Sequence, residues 1–259
     1  MKKAPALFIG HGSPMNVIEE NEFNENIKKI GRIILKNKPN AIICISAHYQ
    51  TDGIQINGSQ RPKTIYDFKG FSEKLYQMEY IAKGNPKLAH TISEILHGEV
   101  TTSWGYDHGA WNVLWHLIPD ADIPVVMLSL DNNLNFQQHF LLGMKLKKLR
   151  EAGVMILGSG NIVHSFLGIQ FDTQAQPHQY SIEFENYVEK NILNKNFDKL
   201  IHFDNSIEKA SKFSVNSAEH YLPLLYVLGG SDYTENEIIF NKKIIFSTLS
   251  MFSVCFGIN

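Results

Sequence analysis

Only two cysteines occur among the 259 residues, which excludes a disulfide framework and a thiolate metal site. Cys44 and Cys255 sit in the apolar runs Ile42-Ile-Cys-Ile45 and Phe252-Ser-Val-Cys-Phe256, where each reads as a small buried hydrophobe. No apolar run approaches membrane-spanning length. The stretch Ala6-Leu-Phe-Ile9 behind Met1-Lys-Lys is too short for a signal-peptide core, so the chain reads as cytoplasmic and reduced. Charge of one sign is also missing. A net charge of −2, with no basic stripe, gives no electrostatic case for nucleic acid or a membrane surface as partner. Several catalytic signatures are absent as well. Gly158-Ser-Gly160 lacks the third glycine of a dinucleotide fingerprint and the flanks of a nucleophile elbow, and there is neither a phosphate loop nor a His-Glu-x-x-His.

The composition is otherwise globular, with 44% hydrophobic residues, enough for a substantial core. No Pro/Ser-rich linker or internal repeat divides the chain, so residues 1–259 read as one domain. Strands are expected at residues 6–10, 40–47, 124–130 and 154–157, with two more between 244 and 256, the last pair as a hairpin. A further short hairpin is expected near 53–56. Helices are expected at 20–36, 86–96, 111–117, 136–152, 178–193, 206–213 and 219–228. This alternation predicts an α/β fold, a mainly parallel sheet flanked by helices. Ligands of such sheets bind beyond the carboxyl ends of the strands.

Histidine is the residue in excess, at eleven. His90, His97, His139 and His202 lie among surface-type positions and read as solvated. His116 reads as structural, and His178 as the start of a helix. The remaining five have unusual frames. His11 follows an apolar strand and precedes Gly12-Ser-Pro14. His48 ends the strand at 40–47. His108 stands in a Gly-containing turn, Tyr106-Asp-His-Gly109. His164 follows Gly158-Ser-Gly160, on the first turn of a helix. His220 lies early in a helix with Ser217 as its cap. Five histidines in Gly/Ser/Pro contexts point to one shared site, and neutral imidazole is a common ligand of transition metals. Glu219 competes with His220, because adjacent helical residues point about 100° apart. With Glu219 the site is a facial triad of two histidines and a carboxylate, suited to non-haem iron. With His220 it is an all-histidine site equally compatible with zinc.

The motifs Gly10-His-Gly-Ser-Pro-Met15, Ser46-Ala-His48, Tyr66-Asp-Phe-Lys-Gly-Phe71, Asp107-His-Gly-Ala-Trp111, Gly158-Ser-Gly160 with His164, and Glu219-His-Tyr-Leu-Pro-Leu224 occur in order along nearly the whole chain. Together they closely resemble the class III extradiol ring-cleavage dioxygenases, in the DOPA 4,5-dioxygenase-like branch of the protocatechuate 4,5-dioxygenase catalytic-subunit superfamily. The resemblance implies one mononuclear divalent metal at the strand ends, Fe(II) for turnover or Zn(II) as resident ion. It also implies a small catechol and O2 as partners. By the same resemblance His11, His48 and His220 are metal ligands. His164 is the catalytic acid–base histidine and a fourth ligand in a resting zinc form, and His108 contacts substrate or oxygen. Protocatechuate-cleaving relatives use a glutamate as third ligand, where this chain has His220 beside Glu219. The rival readings are a zinc hydrolase and a non-enzymatic binding module on the same fold. Oligomeric state leaves no mark in the sequence.

Overall fold

The computed structural model describes residues 3–258. Its strands are β1 (Ala6–Gly10), β2 (Ala41–Thr51), β3 (Gln55–Asn57), β4 (Glu99–Thr101), β5 (Val125–Asp131), β6 (Val154–Gly160), β7 (Glu237–Phe240), β8 (Ile244–Ile245), β9 (Leu249–Ser250) and β10 (Ser253–Phe256). Its helices are α1 (Glu22–Leu35), α2 (Pro86–Leu96), α3 (His108–Leu117), α4 (Phe136–Glu151), α5 (Gln179–Leu193), α6 (Phe197–Ile201), α7 (Glu208–Ser214) and α8 (Leu222–Gly230).

Eight strands form one sheet in the order β4-β3-β5-β2-β6-β1-β10-β7. Its centre, β5-β2-β6-β1, is parallel, while β10 and β7 add antiparallel on one side and β3 meets β5 antiparallel on the other. The expected α/β architecture is therefore present, as a mostly parallel mixed sheet. The central strands are buried on both faces, which explains why they read as continuous apolar runs rather than alternating ones. Successive side chains still point to opposite sides. In β1, Ala6 and Phe8 join α2, α4, α5 and α8 in one core, and Leu7 and Ile9 join α1 and α3 in the other.

Differences from the sequence reading have local causes. The tail holds three strands rather than two: β8 and β9 make the hairpin, and β10 inserts into the main sheet beside β1. The apolar Ile238 and Ile239 form β7 at the edge, an element the sequence reading passes over. Near residue 53 the chain gives only the short β3, which pairs with β4 and β5 instead of folding back on itself. His139 is not solvated. It is fully buried where α4 packs on α8, and its Nδ1 lies 3.1 Å from the Tyr226 hydroxyl. Cys44 and Cys255 are free and buried, as expected. Among the described residues no helix is long and apolar enough to cross a membrane.

Candidate metal centre

Five histidines from five separate chain segments meet beyond the carboxyl ends of the central strands. His11 is the first residue after β1, with its backbone N–H donated to Gly160 O at the end of β6. His48 lies within β2 rather than at its end. The pairing of β2 with β5 shifts register between Ile45 and Gln50, and such an irregularity re-aims side chains next to a site. His108 is not in a free turn but opens α3, where Asp107 caps the helix by accepting from Ala110 N–H. His164 is not helical. Its N–H is donated to Ser214 O, and it bridges to Leu249, so tertiary partners take its backbone groups. His220 precedes α8, which starts at Leu222 with Pro223 in its first turn. Proline is tolerated there because it lacks an N–H, and that signal marks the helix start more reliably than Ser217 does. Ser217 caps nothing in α8; its hydroxyl donates to Glu219 Oε1 at 2.8 Å.

The ring centroids of His11, His48 and His220 form a near-equilateral triangle with sides of 5.1, 5.4 and 5.1 Å. Two glycines permit this closeness. A Cβ on Gly109 would stand 2.6 Å from Ser46 Oγ and 2.8 Å from His48 Cδ2, and one on Gly160 would stand 2.2 Å from His220 O.

Outer partners fix the tautomers of the His11 and His220 rings. Ser159 has one hydroxyl proton, and it donates that proton to Gly109 O at 2.5 Å. Its oxygen must therefore accept from His11 Nδ1–H, 2.9 Å away, which leaves Nε2 of His11 as a lone pair. Glu219 Oε1 lies 3.0 Å from His220 Nδ1. Burial pushes that carboxyl up, but the bonds from His220 and Ser217 outweigh it and bring it down to about 2, so it stays an acceptor. His220 then also has Nε2 as its remaining lone pair. Asp67 Oδ2 also lies 3.5 Å from His48 Nδ1. His11 Nε2 and His48 Nε2 are 3.3 Å apart.

Burial, followed by the neighbouring imidazoles, drives the basicity of His11 and His48 well below that of free histidine, so both rings are neutral and able to ligate a divalent cation. The donor set of His11, His48 and His220, whose ligand atoms lie within 4.8 Å of one another, therefore fits the expected metal. Glu219 and Asp67 also group closely with the histidines, but their oxygens are occupied as acceptors from ring N–H groups. The sequence left Glu219 and His220 as competitors. Here the carboxylate sits behind the ring, as is usual for metal-binding histidines.

The other two histidines flank this triangle. His164 stacks on His220, with centroids 3.6 Å apart and planes within 2°. Burial first, and His220 second, bring His164 down to about 3, so it is neutral, and its Nδ1 has no partner among the described residues. His108 lies 4.0 Å from His48, centroid to centroid. Asp67 accepts from both its N–H and its Nδ1–H, each at 2.9 Å, which leaves Nε2 toward the cavity. Asp67 is the site residue whose role sequence reasoning missed: it falls within the motif Tyr66-Asp-Phe-Lys-Gly-Phe71, but its partner lies 41 positions further on. Above the rings opens a cavity of about 420 Å³ with apolar walls that include Phe68, Phe71, Phe166 and Leu249.

Residues 5–257 match the family model described as the catalytic LigB subunit of aromatic ring-opening dioxygenase. The 4,5-DOPA dioxygenase extradiol of Escherichia coli K12 is 39% identical, covering 98% of this chain and 95% of that protein. The protein of the same name from Beta vulgaris is 34% identical, covering 91% and 90% respectively. A crystal structure of an uncharacterized Escherichia coli K12 protein aligns with a TM-score of 0.82 at 36% identity, covering 98% of this chain and 100% of that one. The chain thus belongs to the LigB family of aromatic ring-opening dioxygenases.

Proposed function

We propose that this protein is an extradiol dioxygenase. It opens the ring of a small DOPA-like catechol beside its two hydroxyls and places both atoms of O2 in a muconic semialdehyde. The observation that carries this reading is the meeting of three buried imidazoles at the base of an apolar, aromatic-walled cavity, with two further histidines on its sides. His11, His48 and His220 hold a single divalent metal. When bound, Fe(II) supplies the redox-active centre that brings catechol and O2 together, which zinc, lacking redox chemistry, does not.

The chain's own residues do the rest. The apolar walls exclude water and hold the flat ring. His164, neutral and lining the cavity, takes a catechol proton and later returns it. His108, braced by Asp67, offers Nε2 to the substrate or oxygen. Glu219 and Ser159 keep the His220 and His11 tautomers that leave Nε2 open. The working partners on this reading are catechol and O2, in the cytoplasm, with no nucleic acid or membrane.

The test is oxygen consumption by protein loaded anaerobically with Fe(II) and then given a catechol. Uptake of O2 with a yellow ring-opened product is expected. O2-independent hydrolysis by the zinc-loaded protein, or inertness with every catechol, contradicts the proposal.

A further inference from the structure

Phe246 and Ser247 stand in the left-handed region of backbone space, at φ of 52° and 66°. A bulky residue there is an outlier, and two such residues in succession strain the corner between β8 and β9. Strain of this kind persists where the surroundings over-determine it, and it concentrates beside active sites. Here the surroundings are one loop. The carbonyls of Phe246, Ser247 and Thr248 accept from the N–H groups of Gln170, His178 and Ser165, at 3.1, 2.8 and 3.2 Å. Thr248 adds its side chain. Its hydroxyl donates to Ser165 O at 2.6 Å, far closer than the 3.5 Å to Phe246 O. Ser250 N–H donates to Val163 O at 3.0 Å, and His164 makes an antiparallel bridge with Leu249. The residues on both sides of His164 are thus bonded to the hairpin in the manner of a third strand.

We infer that this strained corner is the mount of His164, and that Thr248 is a positioning residue for the proton transfer assigned to that histidine. This rests on the ring-cleavage reading above and names what aims its acid–base group. His164 belongs to no helix or strand of its own, so the direction of its ring depends on how residues 163–165 are held. That direction is narrowly set. One face stacks on His220, and the Phe166 ring meets it edge-on with centroids 5.3 Å apart. A shift on the order of 1 Å in a reacting group costs roughly 100-fold in rate. Thr248 is fully buried and supplies the side-chain bond of the clasp. The other bonds run between backbone groups, which a substitution leaves in place. Among the described residues no hydrogen bond joins Phe246, Ser247 or Thr248 to His11, His48 or His220. The mount therefore acts on proton transfer and leaves the metal ligands alone.

The experiment compares the parent with Thr248→Val, which keeps the branched shape and removes the donor, and with Thr248→Ala, which removes it without setting a methyl against Ser165 O. Three quantities are read: kcat and KM of the Fe(II)-loaded enzyme with DOPA, metal affinity by competition with a chelator, and the ring-nitrogen NMR spectrum of the histidines in zinc-loaded protein. In both variants kcat should fall by about 10- to 100-fold while KM and metal affinity hold. The His164 resonances should move, and those of His11, His48 and His220 should stay. Thr248→Ser keeps the hydroxyl and should return both kcat and the His164 resonances toward the parent values. An unchanged kcat, unmoved His164 resonances, a loss of kcat that follows a loss of metal, or a serine variant as slow as the valine one overturns the mount. So does failure of both the valine and the alanine variant to fold, which would make Thr248 a residue of the fold alone. Failure of the parent to take up O2 with any catechol overturns the ring-cleavage reading instead, and the nitrogen spectra then decide separately whether Thr248 orients His164.

Discussion

His220 serves the site through both of its nitrogens, one turned inward and the other held by Glu219 at 3.0 Å. Glu219→Gln keeps the shape but replaces a carboxylate acceptor with a neutral amide. Metal affinity should fall by about 10- to 100-fold, read by competition with a chelator. An unchanged affinity would mean that Glu219 does not hold the ring. His164 makes the opposite case. It stacks on His220 without sharing its hydrogen bonds. His164→Ala should retain metal and lose turnover by about 10²- to 10⁴-fold, read by elemental analysis beside oxygen uptake. Loss of metal in that variant would make His164 a ligand. At this scale the sequence was informative for all five histidines, because each stood in a frame of Gly, Ser or Pro that ordinary packing does not ask for. It gave no role to Asp67 or Ser159, although both fall within the quoted motifs. Their value lies in contacts with His108 and His11 made across 41 and 148 positions, and no local pattern encodes such contacts.

Secondary-structure elements reach the site through close approaches. β6 passes the segment before α8 so tightly that a Cβ at Gly160 would stand 2.2 Å from the His220 carbonyl. That neighbour is backbone and cannot swing aside. Gly160→Ala should therefore cost about 1 to 3 kcal/mol of unfolding free energy and weaken metal binding together, read by denaturant titration of the metal-free and loaded protein. A stable variant with full metal affinity would show that this approach does not position His220. The central strands were legible as continuous apolar runs, and the amphipathic helices α1 and α2 from their helical spacing, because both signals report burial along a single element. The placement of His164 and His220 was not. Helix or turn was decided there by Ser214 O and by Pro223, a tertiary acceptor and a missing donor, rather than by the repeat of apolar residues.

For the whole molecule, buried neutral histidines set the acid limit. Burial brings both His116 and His139 down to about 4, whereas an unfolded histidine protonates near pH 6.5. Below pH 6.5 the unfolded chain therefore binds protons that the folded chain refuses, and stability falls as pH drops from 6.5 toward 4. For the fully buried His139 the loss amounts to roughly 3 kcal/mol at most. His139→Gln, which does not titrate, should flatten the pH dependence of the unfolding midpoint over that window. An identical profile would place the acid sensitivity elsewhere. The metal acts in the opposite direction. An ion bound only by the folded state adds about 2.7 kcal/mol when its free concentration is 100 times its dissociation constant.

The claim on which all of this depends is that three imidazoles hold one ion. X-ray absorption at the metal edge of protein loaded with one equivalent of Fe(II), and separately of Zn(II), tests it directly. The account predicts three histidine nitrogens, at about 2.0 to 2.1 Å for zinc, and loss of that signal in each of His11→Ala, His48→Ala and His220→Ala. A shell dominated by carboxylate or sulfur, or one unchanged in those variants, would contradict it.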